Sequence, residues 1–158
     1  MKKFWLSLGA VILLAFLLMP LAPLIIIKIT DARPPSVYLI PNGYKGWFYI
    51  VYDVPNTPEL PKLDDKLEFE IPSNGILKTS TKHTEYGWAK DEYYYVENGK
   101  RIKIPEEKMI HGGGTSGTDY KGKSYEYQMF FVSNQKELEL QSVDLMNSEL
   151  RESLFENN

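Results

Sequence analysis

The chain has 158 residues, 43% of them hydrophobic, with no cysteine and 21 acidic against 18 basic side chains. Without cysteine there is no CxxC redox centre, no thiolate zinc site and no N-terminal cysteine to carry a lipid. All the acidic residues lie from Asp31 onward with 15 of the 18 Lys and Arg, a net charge of about −6 for that part, which opposes a sequence-independent grip on nucleic-acid phosphates.

Lys2 and Lys3 precede residues 4–27, which carry no charge. At about 1.5 Å rise per residue this block is long enough to cross a hydrocarbon core of roughly 30 Å. The alternative is a cleaved signal peptide, which would leave the domain secreted. Signal-peptide apolar cores usually run only about 7–15 residues before a small-residue site. The nearest such site, Thr30-Asp31-Ala32, comes late, after Ile25-Ile26-Ile27-Lys28, so residues 1–29 are expected to be an uncleaved single-pass membrane anchor. Pro20 and Pro23 should kink or split it, and Lys28 can snorkel to the far interface. With Lys2 and Lys3 held inside, the domain lies outside the cytoplasm.

Residues 30–36, with Arg33-Pro34-Pro35, form a short stiff tether. A β-rich domain over 37–132 follows, in which aromatic and β-branched runs are punctuated by Gly, Pro and Asn. The first strand is 37–40. The second, 46–54, is apolar on both alternating sets, Trp47/Tyr49/Val51 and Phe48/Ile50/Tyr52, as in a strand covered on both sides. Residues 66–71 instead set Leu67, Phe69 and Ile71 against Lys66, Glu68 and Glu70, which predicts one wet face. Asn74-Gly75 predicts a hairpin from that strand into 76–80, and Asn98-Gly99 predicts another joining 93–96 to 100–104. Residues 124–132 are the last strand. About seven strands with no long helix between them predict a mainly β fold, an antiparallel β-sandwich or partly open barrel. From 133 to 158 the spacing of Leu140, Val143, Leu150 and Leu154 predicts a C-terminal amphipathic helix that packs on its own domain or frays, the alternative being a partner-binding or membrane-surface helix.

Tyr38-Leu39-Ile40-Pro41, Gly43-Tyr44-Lys45-Gly46-Trp47, Ile71-Pro72, Gly75-Ile76-Leu77-Lys78-Thr79, Tyr93-Tyr94-Tyr95 and Phe130-Phe131-Val132 resemble an uncharacterised domain family of bacterial envelope proteins. The resemblance covers roughly 37–132 and implies a bacterial source and a compact domain, with no activity or catalytic residue attached. The run from Glu68 through Asn74-Gly75 to Thr79 also resembles, at the level of fold, the prealbumin-like sandwiches found as accessory domains. Fold analogy assigns no function.

Three glycine-rich matches look like chemistry. Residues 117–124 satisfy G-x-x-x-x-G-K-S, but a phosphate-binding loop opens a helix and this one opens an aromatic strand, so no nucleotide is expected. Residues 112–117 fit G-x-G-x-x-G without a βαβ context. His111-Gly112-Gly113-Gly114 is similar to an esterase oxyanion loop. Ser116 nevertheless lacks the G-x-S-x-G elbow, and four glycines in six residues predict a mobile surface connection with His111 and Ser116 out of hydrogen-bonding reach. His83 and His111 are the only histidines and lack ligand spacing, so no metal and no cofactor is expected.

Tyr44, Trp47, Tyr86 and Trp88 could present rings for stacking on a cell-wall glycan, although large rings are also the main filler of small β domains. The sequence thus points to a non-catalytic, membrane-tethered extracytoplasmic domain that binds an envelope protein or glycan. The alternative is a small envelope hydrolase centred on the 112–117 loop with His111 and Ser116.

Overall fold

The computed structural model describes residues 32–141 and 148–156. The expected anchor and part of the tether lie outside the described residues, as does Val143. Among the described residues no helix is long and apolar enough to cross a membrane.

Ala32, Arg33 and Tyr86–Trp88 group as one compact unit, in which Ala32 bridges Trp88 and the Arg33 N–H donates to the Trp88 carbonyl at 3.1 Å. The remaining described residues form the β domain. Its nine strands are β1 (Val37–Pro41), β2 (Gly46–Val51), β3 (Lys62–Leu63), β4 (Lys66–Glu70), β5 (Ile76–Lys78), β6 (Glu92–Glu97), β7 (Lys100–Lys103), β8 (Ile110–Tyr120) and β9 (Lys123–Val132). They make two sheets, ordered β3-β4-β1-β6-β7 and β5-β2-β9-β8.

Both sheets are mixed, which corrects the expected antiparallel arrangement; nor do they close into a barrel. β1 runs parallel to β4 and β6, and β2 parallel to β5. The cause is a repeated arch. Residues after Pro41 carry the chain from β1 across to β2 in the other sheet, and the turn closed by Gly75 N–H on the Pro72 carbonyl (2.9 Å) carries it from β4 across to β5. Asn74-Gly75 is therefore a sheet-to-sheet turn and not the predicted hairpin, although Gly75 has the expected positive φ of 76°. Two arches leaving one sheet in the same sense place their strands side by side in parallel. Asn98-Gly99, with φ of 48° and 75°, does close the predicted β6–β7 hairpin, pairing Glu97 with Lys100.

The inward faces of the two sheets meet in one core of Tyr38, Ile40, Phe69, Ile71 and Tyr93 against Phe48, Ile50, Phe130 and Val132. Register sets Tyr38 opposite both Phe69 and Tyr93, and its ring stacks on each at 4.7 Å. Centroid separations of this kind are the favoured geometry for ring pairs. The outer face of the first sheet is wet, as the alternation in β4 predicts. There Glu92 accepts from Lys66 Nζ (2.7 Å) and the Tyr94 hydroxyl (2.5 Å), and Arg101 pairs with Glu68 (2.8 Å).

β2 is covered on both faces, as its double apolar pattern requires. On the side away from the main core, Tyr49, Val51, Tyr125 and Tyr127 receive Leu154 and Phe155. The expected C-terminal helix is present as two pieces among the described residues. α1 (Glu106–Met109) precedes β8, α2 (Gln135–Leu140) follows β9, and α3 (Ser148–Phe155) packs on the sheet. Asn134 caps α2 by accepting from Glu137 N–H at 3.0 Å. Leu140 is 79% exposed, so it does not join the packed stripe that its spacing suggested.

Candidate functional site

The glycine-rich segment is not the mobile connection expected of it. Residues 110–120 form β8, an 11-residue strand paired antiparallel with β9 from Thr118↔Tyr125 and Tyr120↔Lys123 back to Gly114↔Met129, with an irregularity between His111 and Gly114. Backbone pairing to an aromatic partner strand constrains the glycines, whose own side chains give no β signal. The cue lay at the other end: Lys121 (φ 49°) and Gly122 (φ 79°) form a two-residue turn between Tyr120 and Lys123, the geometry of a type I′ hairpin. The residues that match a phosphate loop are therefore the tip of a β-hairpin, with no helix to follow.

β8 is an edge strand, and most of it is exposed. In a two-residue hairpin the flanking pair is hydrogen-bonded and the pattern then alternates. Tyr120, Thr118, Ser116 and Gly114 thus direct their backbone groups to β9, whereas Asp119, Gly117 and Thr115 direct theirs away from the sheet. The Asp119 carbonyl accepts from Arg151 of α3 at 2.9 Å, in keeping with that direction. Thr115 is steadied from within by Gln128 Nε2 at 3.4 Å; Gln128 also accepts from the Tyr52 hydroxyl (2.7 Å) and donates to Thr84 Oγ1 (2.6 Å).

The four sheet edges are unlike one another. β7 carries Lys100, Arg101 and Lys103, while β3 and β5 have two and three residues. Charge and shortness are the usual protections against strand pairing. β8 has neither: it is long, and no charged side chain occurs from Ile110 to Thr118. Its one irregular stretch, at 112–113, leaves the run from Gly114 to Tyr120 regular.

β8 also fixes the separation of His111 and Ser116. Their partners on β9 are Phe131 and Tyr127, four positions apart, so the two backbones are about 13 Å apart along the strand. His111 Nε2 meets the Lys108 carbonyl at 3.2 Å. No cluster of three or more His, Asp or Glu able to hold a metal occurs among the described residues. In a surface depression lined by Lys90, Asp91, Lys103 and Glu106, burial first, then the neighbouring Asp91, pushes the Glu106 carboxyl up. Asp91 there accepts from Ser36 N–H at 2.9 Å and holds the start of β1.

Of the four aromatic candidates, Tyr44 and Trp47 are half-buried parts of the first arch. The Tyr44 hydroxyl donates to the Trp47 carbonyl, and burial raises its pKa. The Trp47 ring meets Phe131 edge-on at 5.4 Å and lies where a Cβ at Gly112 would touch it at 2.9 Å. Its indole nitrogen is buried without a hydrogen-bond partner among the described residues. Tyr86 and Trp88 belong to the smaller unit and are 68% and 62% exposed.

Residues 32–141 match the model of a family of unknown function (DUF6843), and the chain belongs to that family. No curated protein matches the chain. Among solved structures it is similar to a 2.75 Å crystal structure of a protein from Bacillus anthracis titled "Putative Lipoprotein". The two share 26% identity over 77% of this chain and 89% of that one, with a TM-score of 0.63.

Proposed function

We propose that this chain is a non-catalytic, membrane-tethered module of the bacterial envelope that takes up an extended segment of a polypeptide partner along the free edge of β8. The observation that carries the reading is the long, exposed edge, without charge from Ile110 to Thr118, with outward-facing backbone groups at Thr115, Gly117 and Asp119. Such an edge is a template for strand addition, in which main-chain hydrogen bonds supply affinity. A glycan surface built on Tyr44 and Trp47 is less well supported, because both rings are engaged within the arch. A hydrolase built on His111 and Ser116 would have to bridge their separation along one strand.

The envelope part of the reading draws on the related protein titled "Putative Lipoprotein". A bacterial lipoprotein is held by acyl chains on a cysteine, and residues 1–158 contain none. The apolar block 4–27, preceded by Lys2 and Lys3, would here supply the tether, with the domain outside the cytoplasm.

The test is a photoreactive residue at Thr115 of the full chain in its native membrane. Capture of a polypeptide is expected, and Gly117→Pro should abolish it with little loss of stability, since proline is tolerated where an edge N–H faces out. Thr118→Pro, which removes an N–H bonded to β9, should instead lower the thermal midpoint. Capture of polysaccharide alone, or undiminished capture in Gly117→Pro, would overturn the reading.

A further inference from the structure

We infer that the segment taken up at this edge is β8 of a second copy of the chain, paired antiparallel across a two-fold axis at Gly117. The inference rests on the strand-addition reading above and names its partner.

The residues themselves select the register. With Gly117 opposite its own copy, Thr115 faces Asp119 of the second copy and Asp119 faces Thr115. All three outward-facing residues of each strand then meet an outward-facing residue, as an antiparallel ladder requires. Shifting the axis leaves at least one of them opposite the irregular 112–113 stretch or the turn at Lys121-Gly122. In the Gly117 register the carboxylate of Asp119 lies opposite a threonine hydroxyl, and the two Asp119 side chains are about 13 Å apart. The Asp119 carbonyl already accepts from Arg151 and keeps a second lone pair for the ladder.

The intervening pairs fit equally well. Thr118 lies opposite Ser116, a hydroxyl pair of the kind that stabilises sheets. Tyr120, whose ring lies against Phe155 of its own chain at 5.8 Å, is opposite Gly114, which brings no competing side chain. Gly117 at the axis places no side chain opposite its own copy. The absence of charge from Ile110 to Thr118 means that no like charges are juxtaposed, the usual obstacle to self-pairing. A single strand pair is a small interface, but copies tethered to one membrane meet at a raised effective concentration.

The chain has no cysteine, so a single introduced thiol can form a disulfide only with its counterpart or with another protein. A Cβ at Gly117 meets nothing closer than the Tyr125 carbonyl at 3.7 Å, so Gly117→Cys fits the native backbone. In a hydrogen-bonded antiparallel pair the two Cα atoms are about 5.5 Å apart, within disulfide range. Mild oxidation of the full chain in membranes should link Gly117→Cys to itself at least about tenfold more efficiently than Ile102→Cys, an exposed position on the β7 edge, as expected for a templated rather than collisional contact. Ile102 is 52% exposed. Thr115→Cys and Asp119→Cys should each remain unlinked alone and link when the two variants are co-expressed. Equal linking of Gly117→Cys and Ile102→Cys, or no linking of the Thr115/Asp119 pair, overturns the second-copy assignment. If the photoreactive residue at Thr115 then captures a different polypeptide, strand addition itself survives; if it captures none, both readings fail.

Discussion

Gly75 packs directly against Tyr44: a Cβ built at Gly75 would overlap the Tyr44 hydroxyl and approach the Trp47 carbonyl oxygen to 3.0 Å. The two residues belong to the two successive arches, and Tyr49 N–H donates to the Gly75 carbonyl at 2.7 Å in the same place. The glycine is therefore required twice, by its φ of 76° and by the close approach of the neighbouring arch.

Gly75→Ala and Gly99→Ala separate these requirements. Gly99 has a φ of 75° and nothing within 4 Å of a built Cβ, so its substitution should cost about 1–2 kcal/mol from backbone strain alone. Gly75→Ala adds a steric term of about 1–3 kcal/mol, and Tyr44→Phe in the same chain should return part of it by removing the nearest atom. Urea unfolding of the four chains checks the ranking, and equal losses at the two glycines would contradict the stacked arches.

The C-terminal helix should behave as part of the core. Leu154 and Phe155 are 1% and 4% exposed, and Phe155 lies against Tyr125 with centroids at 5.1 Å. Leu154→Ala should cost about 2–5 kcal/mol and Phe155→Ala about 3–5 kcal/mol. Leu140→Ala, on the exposed surface, should stay within about 0.5 kcal/mol. Denaturant midpoints give the comparison.

Alkaline stability should report on Tyr49. Burial, reinforced by Tyr44 and Tyr127, pushes its hydroxyl up to about 12. In the unfolded chain the group ionises near its ordinary value of 10.0. A raised folded value means that its contribution is fully present below pH 10 and is lost as the pH rises towards 12. Tyr49→Phe should therefore retain stability at about pH 11 that the parent loses, with ultraviolet absorbance following the tyrosine ionisation.

The acid limb should involve Glu92. The hydrogen bonds from Lys66 and then Tyr94 hold its carboxyl below the usual value of 4.5. A depressed folded value contributes stability above the unfolded value, lost as the pH falls through the folded one. The group is near the surface, so solvent screening makes the expected effect a shallow slope. Glu92→Gln should flatten the decline in thermal midpoint below about pH 4.5 while leaving the neutral-pH fold intact.

Strand positions were legible from alternation in β4, from aromatic and β-branched runs in β1, β2 and β9, and from the Asn98-Gly99 turn for β6 and β7. The sheet assignment of β5 was not. Asn74-Gly75 has the same local chemistry whether a chain folds back beside itself or crosses to the facing sheet, and only the position of Tyr44 and β2, remote in sequence, selects the crossing. β8 was missed for the opposite reason. Its glycines carry no hydrophobic pattern, and its strand character comes from β9 and the Lys121-Gly122 turn. The aromatic candidates Tyr44 and Trp47 were visible as residues, but whether a ring faces out or into an arch depends on that same long-range arrangement.

The stacked arches also set the order in which the molecule can assemble. β1 and β2, consecutive among the described strands, lie in different sheets: the hydrogen bond from Ser36, at the start of β1, to Asp91 closes a loop of 55 residues, and that from Tyr52, just after β2, to Gln128 one of 76. As the chain is made from its N-terminus, β1 has only β4 beside it until β6 emerges, and β2 has only β5 until β9 does. Topologies dominated by such non-local pairings fold slowly, and their apolar strands are open to misassociation meanwhile. The interval between synthesis and closure of the second sheet is thus an aggregation-prone stage for this protein.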